Sequence, residues 1–293
     1  MRLNRGRGLL WALGIMILLA LAELALRARY RQHVLPTGRN NPAGVTLVAL
    51  GDSITAGWPG PPDQAWPARL AARLRAEFPP VTWRIINAGA PGDTAPMGYA
   101  RFDRQVAVHG PDIVLIAFGL NDCRRSRHAL DLWFAARVPV GRERSYIWRA
   151  LRARVARIQH RLGRLTDPVP ETTPAPFLRT PPERFAAALS ALIDRTRDIL
   201  GRPVLLTMTP MSEQMPPDER TLLEEYAAYN VRIRAMASQR GVPLVELADD
   251  APDGAITVDG LHLTTIGQQW IADQVYTTLE AAGLWAELTR MPR

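Results

Sequence analysis

Four separate stretches of the chain carry residues whose types could do nucleophilic chemistry together. Gly51-Asp52-Ser53-Ile54-Thr55-Ala56-Gly57 follows a continuous apolar run, Thr46 to Leu50, and places a serine just past a predicted buried strand. A serine hydroxyl is a poor nucleophile unless a base takes its proton. Asp259-Gly260-Leu261-His262 offers that base. At this spacing the carboxylate can accept from one imidazole nitrogen, which leaves the other free for Ser53. Asn87-Ala88-Gly89-Ala90-Pro91-Gly92 follows a second apolar run, and Gly92 presents a backbone N–H with no side chain in the way. Gly119-Leu120-Asn121-Asp122 follows a third, where Asn121 offers an amide donor. A bare N–H and an amide beside a serine are the parts of an oxyanion hole. His33, His109, His128 and His160 lack a carboxylate at comparable spacing in a strand-end loop and read as surface or capping residues. Cys123 is the only cysteine and reads as a structural thiol. It excludes an intrachain disulfide framework and a multi-cysteine metal site.

The elements that must carry these residues alternate. Strands are predicted at 46–50, 82–86, 113–118, 204–208 and 242–247. Helices are predicted at 64–78, 182–200, 218–240 and 266–283. The stripe Trp66, Leu70, Leu74 and Phe78 marks the buried face of the first helix. Such alternation implies a parallel sheet with helices on both faces, in one domain. Ligands in such sheets bind beyond the carboxyl ends of the strands.

The four motifs, in this order, resemble the SGNH hydrolases, also called the GDSL esterase/lipase family. The resemblance spans residues 46 to about 283. It implies a three-layer α/β/α sandwich of flavodoxin-like type with a five-stranded, mostly parallel sheet. It implies ester hydrolysis through an acyl-enzyme with no cofactor or metal. By the same resemblance Ser53 is the nucleophile, His262 the general base and Asp259 its orienter. The Ser53 and Gly92 N–H groups and the Asn121 side chain form the oxyanion hole. The expected substrates are O-acyl esters of envelope glycan or lipid. Transfer of the acyl group to a sugar hydroxyl and a non-catalytic binding module are the alternatives. Ile54 stands where the family's name motif has leucine, at a position expected to pack inward.

Composition bounds the rest. The chain has 293 residues, 47% hydrophobic and 22% charged. That excludes a mostly disordered chain, a collagen and a coiled coil. All 36 basic residues are arginine, and the net charge is +8. Residues 1–32 carry +5 and residues 124–165 carry +10, so the remainder is net acidic. Basic residues confined to two blocks do not suit a nucleic-acid partner.

Residues 1–32 are expected to anchor the chain in a membrane. Arg2, Arg5 and Arg7 precede an apolar run from Gly8 to Leu26, broken only by Glu23. As a helix, Leu9 to Leu26 would span about 27 Å, just enough for a bilayer core. A signal peptide cut near Ala20-Leu21-Ala22 is the alternative. Either places residues 45–285, the expected hydrolase domain, outside the cytoplasm. Residues 33–44 read as a linker. Arg144 to Leu165 reads as an amphipathic helix, packed on the domain or lying on an anionic leaflet. Thr166 to Pro182 reads as an exposed, proline-stiffened loop. The oligomeric state is left open.

Overall fold

The structure, a computed structural model, describes residues 14–25, 44–126, 177–212, 215, 217–221, 223–257 and 259–290. The first strand, β1 (Gly44–Gly51), is buried along its whole length and leads into a single-turn helix, α1 (Ser53–Ala56). Then follow α2 (Trp66–Glu77), β2 (Thr82–Gly89), α3 (Ala95–Gln105) and β3 (Ile113–Ala117). Two short strands, β4 (Arg125–Ser126) and β5 (Phe177–Leu178), pair antiparallel and form a separate ribbon. The chain continues through α4 (Pro182–Asp198), β6 (Arg202–Leu206), α5 (Pro217–Thr221), α6 (Tyr226–Arg240) and β7 (Leu244–Val245). It ends in α7 (Thr265–Ala281) and α8 (Leu284–Arg290).

The main sheet has the order β2-β1-β3-β6-β7, and every pairing in it is parallel. The chain steps outward from β1 to β2, then crosses back to β3 on the other side. This reversal opens a crevice at the carboxyl ends of β1 and β3, where Ser53 and Asn121 emerge. Because β1 is covered on both faces, its side chains do not alternate in polarity, and Leu47, Val48 and Leu50 are all fully buried. The stripe of α2 is buried as expected at Trp66, Leu70 and Leu74, and Ile54 packs inward.

The differences from the sequence reading have local causes. The helix expected over 218–240 is broken between α5 and α6. There Leu223 turns into the core and the Tyr226 hydroxyl donates a hydrogen bond shared between the carbonyls of Met208 and Thr209. The strand expected over 242–247 shrinks to two residues. At its start the Val242 N–H still closes α6 on Ala237 O, and at its end the Leu247 N–H goes to the Thr207 hydroxyl. The second strand runs further than expected, to Gly89, because its whole length pairs with β1. The short helices α3 and α8 carry too few apolar repeats to stand out in the sequence.

The carboxyl end of the proline-rich stretch is not an exposed loop. Phe177 and Leu178 form β5, Thr180 is buried, and Pro182 opens α4. Proline suits that first helical position because its missing N–H would have no partner there. Residues 127–176, including the expected Arg144–Leu165 helix, lie outside the described residues.

Residues 14–25 are helical, and Ile15, Ile17, Leu18, Leu21 and Leu24 are exposed. No helix among the described residues is long and apolar enough to cross a membrane. This stretch would span about 18 Å, against about 30 Å for a bilayer core. The rest of the segment expected to anchor the chain lies outside the described residues.

Candidate active site

Ser53 is the first residue of α1. Asp52 caps that turn by accepting the Ile54 N–H at 3.0 Å. The tight strand-to-helix corner needs Gly51: a Cβ there would lie 2.1 Å from the Thr55 hydroxyl and 2.7 Å from Ala117 O. Ser53 is buried. His262 Nε2 lies 3.1 Å from Ser53 Oγ, and His262 Nδ1 lies 2.6 Å from Asp259 Oδ2. Two far-separated stretches, one carrying Ser53 and the other Asp259 and His262, thus meet at hydrogen-bond distance in the order that a serine, a base and an orienting carboxylate require.

The Asp259 carboxylate is held by its own loop. Its Oδ1 accepts from the Thr257 hydroxyl at 2.6 Å and from the Leu261 and His262 N–H groups at 2.9 Å. Partial burial works against the charge, but these donors and the imidazole overcome it and hold the carboxyl well below its ordinary range. Asp259 therefore stays ionised and keeps Nδ1–H in place, so that Nε2 faces Ser53 as an acceptor.

Gly92 adopts φ +82°, a left-handed conformation that favours glycine, and open space surrounds the position of its missing Cβ. Asn121 donates from Nδ2 to Asp52 Oδ2 at 3.2 Å, which leaves its second amide hydrogen for a ligand. Arg179 was not singled out in the sequence. It donates from Nη1 to Asn121 Oδ1 at 2.9 Å and from Nη2 to Gly92 O at 2.8 Å. Hydrogen bonds therefore run from Gly92 through Arg179 and Asn121 to Asp52, the neighbour of Ser53.

Three more residues stiffen this side. Arg101 ties the ends of β1 and β2 together, donating to Gly51 O and Ala88 O, and pairs with Asp93 at 2.6 Å. Asp122 is fully buried and accepts the Ala95 N–H at the start of α3 at 3.0 Å. Burial pushes its carboxyl up to about 7 and that of Asp52 up to about 6, in both cases against the hydrogen bonds that favour the charge. Cys123 is buried, and burial pushes its thiol up, away from the reactive thiolate. Asp52 and Asp122 sit inside motifs already visible in the sequence. Arg179 gave no such signal, since arginine is everywhere in this chain.

The loop after β6 leans on the His262 loop. The Ser212 N–H donates to Gly260 O at 3.0 Å, and a Cβ on Gly260 would collide with Met215. Beside it opens a groove lined by Met211, Met215, Leu223 and Tyr226 together with the charged Arg220 and Glu224.

The sequence model of the GDSL-like lipase/acylhydrolase family matches residues 49–270. The chain belongs to this family. Over 80 residues it is 40% identical to an arylesterase of Vibrio mimicus, which covers 27% of this chain and 39% of that protein. Over another 80-residue match it is 36% identical to thioesterase 1/protease 1/lysophospholipase L1 of Escherichia coli K12, again over 27% of this chain and 36% of the relative. The match thus spans under two fifths of the length of these relatives. Its fold is similar to the lipase/acylhydrolase of Enterococcus faecalis, with a TM-score of 0.54, 19% identity, and coverage of 81% of this chain and 96% of that one. It is also similar to Axe2, an acetylxylan esterase from Geobacillus stearothermophilus, with a TM-score of 0.52, 19% identity, and coverage of 81% and 95%.

Proposed function

We propose that this protein is a serine esterase that hydrolyses carboxylic esters through an acyl-enzyme. Ser53 Oγ attacks the ester carbonyl while His262 Nε2 takes its proton. Asp259 holds the imidazole and balances the imidazolium charge. The oxyanion accepts from the Ser53 and Gly92 N–H groups and from the free amide hydrogen of Asn121. His262 then returns the proton to the leaving alcohol. In the second half, water gives its proton to His262 and its oxygen to the acyl carbon. Ser53 recovers its proton as the carboxylic acid leaves.

The observation that carries this reading is the unbroken line Ser53–His262–Asp259, at 3.1 and 2.6 Å. A binding module has no need to keep a hydroxyl, an imidazole and an ionised carboxylate in this alignment. For the substrate we favour O-acyl groups on envelope glycan or lipid. The acetylxylan esterase fold neighbour fits a glycan ester.

A panel of nitrophenyl acyl esters against the purified protein tests the reading, with Ser53→Ala as blank. Turnover by wild type, falling about 10⁶-fold in Ser53→Ala, is expected. Equal turnover by the two would overturn the assignment.

The amino-terminal segment is part of the same proposal. Residues 1–32 tether the esterase to a membrane, with the catalytic domain outside the cytoplasm. The exposed apolar side chains of residues 14–25 fit that tether. Full-length protein released from membranes by high-salt wash without detergent would rule it out.

A further inference from the structure

We propose that Arg179 is a positioning residue that fixes two oxyanion donors at once, and this rests on the esterase reading above. The observation is a forked guanidinium with one nitrogen on Asn121 Oδ1 and the other on Gly92 O. One contact fixes the Asn121 amide itself, and the other fastens the Gly92 carbonyl, one Cα away from the N–H that the reaction uses.

An Asn side chain can rotate about its last torsion and swap its oxygen and nitrogen. A cation on the oxygen end forbids the swap. Asp52 on one amide hydrogen completes the orientation, so the other hydrogen points where Asp52 does not. Gly92 has no Cβ to restrict its backbone. Fastening its carbonyl removes freedom that the left-handed turn would otherwise leave. Donors that are already aimed cost no reorganisation when charge develops on the oxyanion, and that is the source of their effect on rate. A guanidinium suits the task because its donors form a rigid planar fork, whereas an ammonium is a single point.

The fold shows why this arginine reaches the site. Residues 177–180 run antiparallel along residues 122–126: Phe177 and Leu178 pair with Ser126 and Arg125. The Arg179 N–H donates to Arg124 O, and the Thr180 N–H donates to Asp122 O. The Tyr229 hydroxyl donates to Thr180 O and fastens this strap to α6. Asn121 is thus held beside the strap that carries Arg179, although the two are far apart in sequence.

The test is a double-mutant cycle on Arg179→Ala and Asn121→Ala, following kcat and KM for nitrophenyl acetate and the rate of Ser53 labelling by a fluorophosphonate. Arg179→Ala should lower kcat about 10- to 100-fold, less than the about 10²–10³-fold of Asn121→Ala. KM should move less than about threefold, because the donors act on the transition state. In the Asn121→Ala background the loss from Arg179→Ala should shrink several-fold. Added guanidinium ion, at concentrations that leave wild type unaffected, should restore part of the activity. Arg179→Lys should fall between the two and carries the same cycle if Arg179→Ala does not fold.

Unchanged kcat in Arg179→Ala overturns the inference. So does a loss that is equal in both backgrounds and unmoved by guanidinium, which would mark a merely structural arginine. Wild type that neither turns over ester nor labels at Ser53 would overturn the esterase reading itself, and this inference with it. Activity that depends on Ser53 but not on Arg179 leaves the esterase reading standing and removes only this step.

Discussion

Ser53, Gly92 and Asn121 are held by contacts that cross the length of the chain, whereas the hydrogen bonds on the Asp259 carboxylate come from its own loop, which the rest of the chain touches at Gly260. On the first side, Arg101 joins the ends of β1 and β2, Arg179 joins Gly92 to Asn121, and buried Asp122 fastens the β3 end to α3. On the second side, Asp259 takes its hydrogen bonds from Thr257, Leu261 and His262, and the loop closes on itself through Thr257 N–H to His262 O at 2.8 Å. The first side is anchored in the core through buried Ser53, Arg101 and Asp122, where a change must be felt by the sheet. The second is a half-exposed turn, where a change can alter chemistry and leave the fold alone.

The largest effect that would break this contrast is expected from His262→Ala. Removing the base should lower kcat for nitrophenyl acetate by about 10⁶-fold. The turn that carries it keeps its backbone hydrogen bonds, so the thermal midpoint should shift by no more than about 4 °C. A kinetic and calorimetric comparison with wild type checks both. A large loss of stability would mean that the base side is as deeply built in as the nucleophile side.

The opposite behaviour is expected at Asp122. Burial pushes its carboxyl up to about 7 in the folded chain, from an ordinary value of 3.8. Between those values the native state binds more protons than the unfolded state. Stability from this group is therefore fully present below about pH 4 and is lost as pH rises through 7. The loss across that window is on the order of 4 kcal/mol for this group. Asp122→Asn cannot ionise, so its stability should fall less than that of wild type between pH 4.5 and 8. Denaturant unfolding at several pH values checks this. Parallel curves for the two proteins would show that the buried carboxyl is not titrating there.

The same contrast explains what the sequence made legible. Asp259 and His262 lie three residues apart, and a motif that short can be read without knowing the fold. Ser53, Gly92 and Asn121 were legible because each follows an apolar strand, and parallel strands deliver their ends to one edge. Arg179 was not legible. It meets Asn121 only because β4 and β5 pair across the intervening chain, and nothing in a background of 36 arginines sets one apart. The broken helix at Leu223–Glu225 was hidden for a related reason. Helical spacing continues through it, and only the tertiary demand of Tyr226 for the carbonyls beyond β6 interrupts the turn.

A smaller and finer test bears on how the local side works. Thr257 donates one of the three protein hydrogen bonds that reach Asp259 Oδ1, the others coming from the Leu261 and His262 N–H groups. Thr257→Ala removes that donor and leaves the two backbone ones in place. A hydrogen bond of this kind contributes about 1 kcal/mol, so kcat should fall about fivefold. Asp259 should move up toward its ordinary carboxylate range yet remain ionised at neutral pH, so the activity profile above pH 6 should keep its shape. The stability that Asp259 contributes is present above its ordinary value near 3.8 and is lost as pH falls below it, so the variant should be less stable than wild type at neutral pH and the two should converge in acid. If Thr257→Ala instead lost activity as severely as His262→Ala, the two backbone donors would not suffice to hold the carboxylate. The base would then depend on a single hydroxyl, rather than on a turn that supports itself.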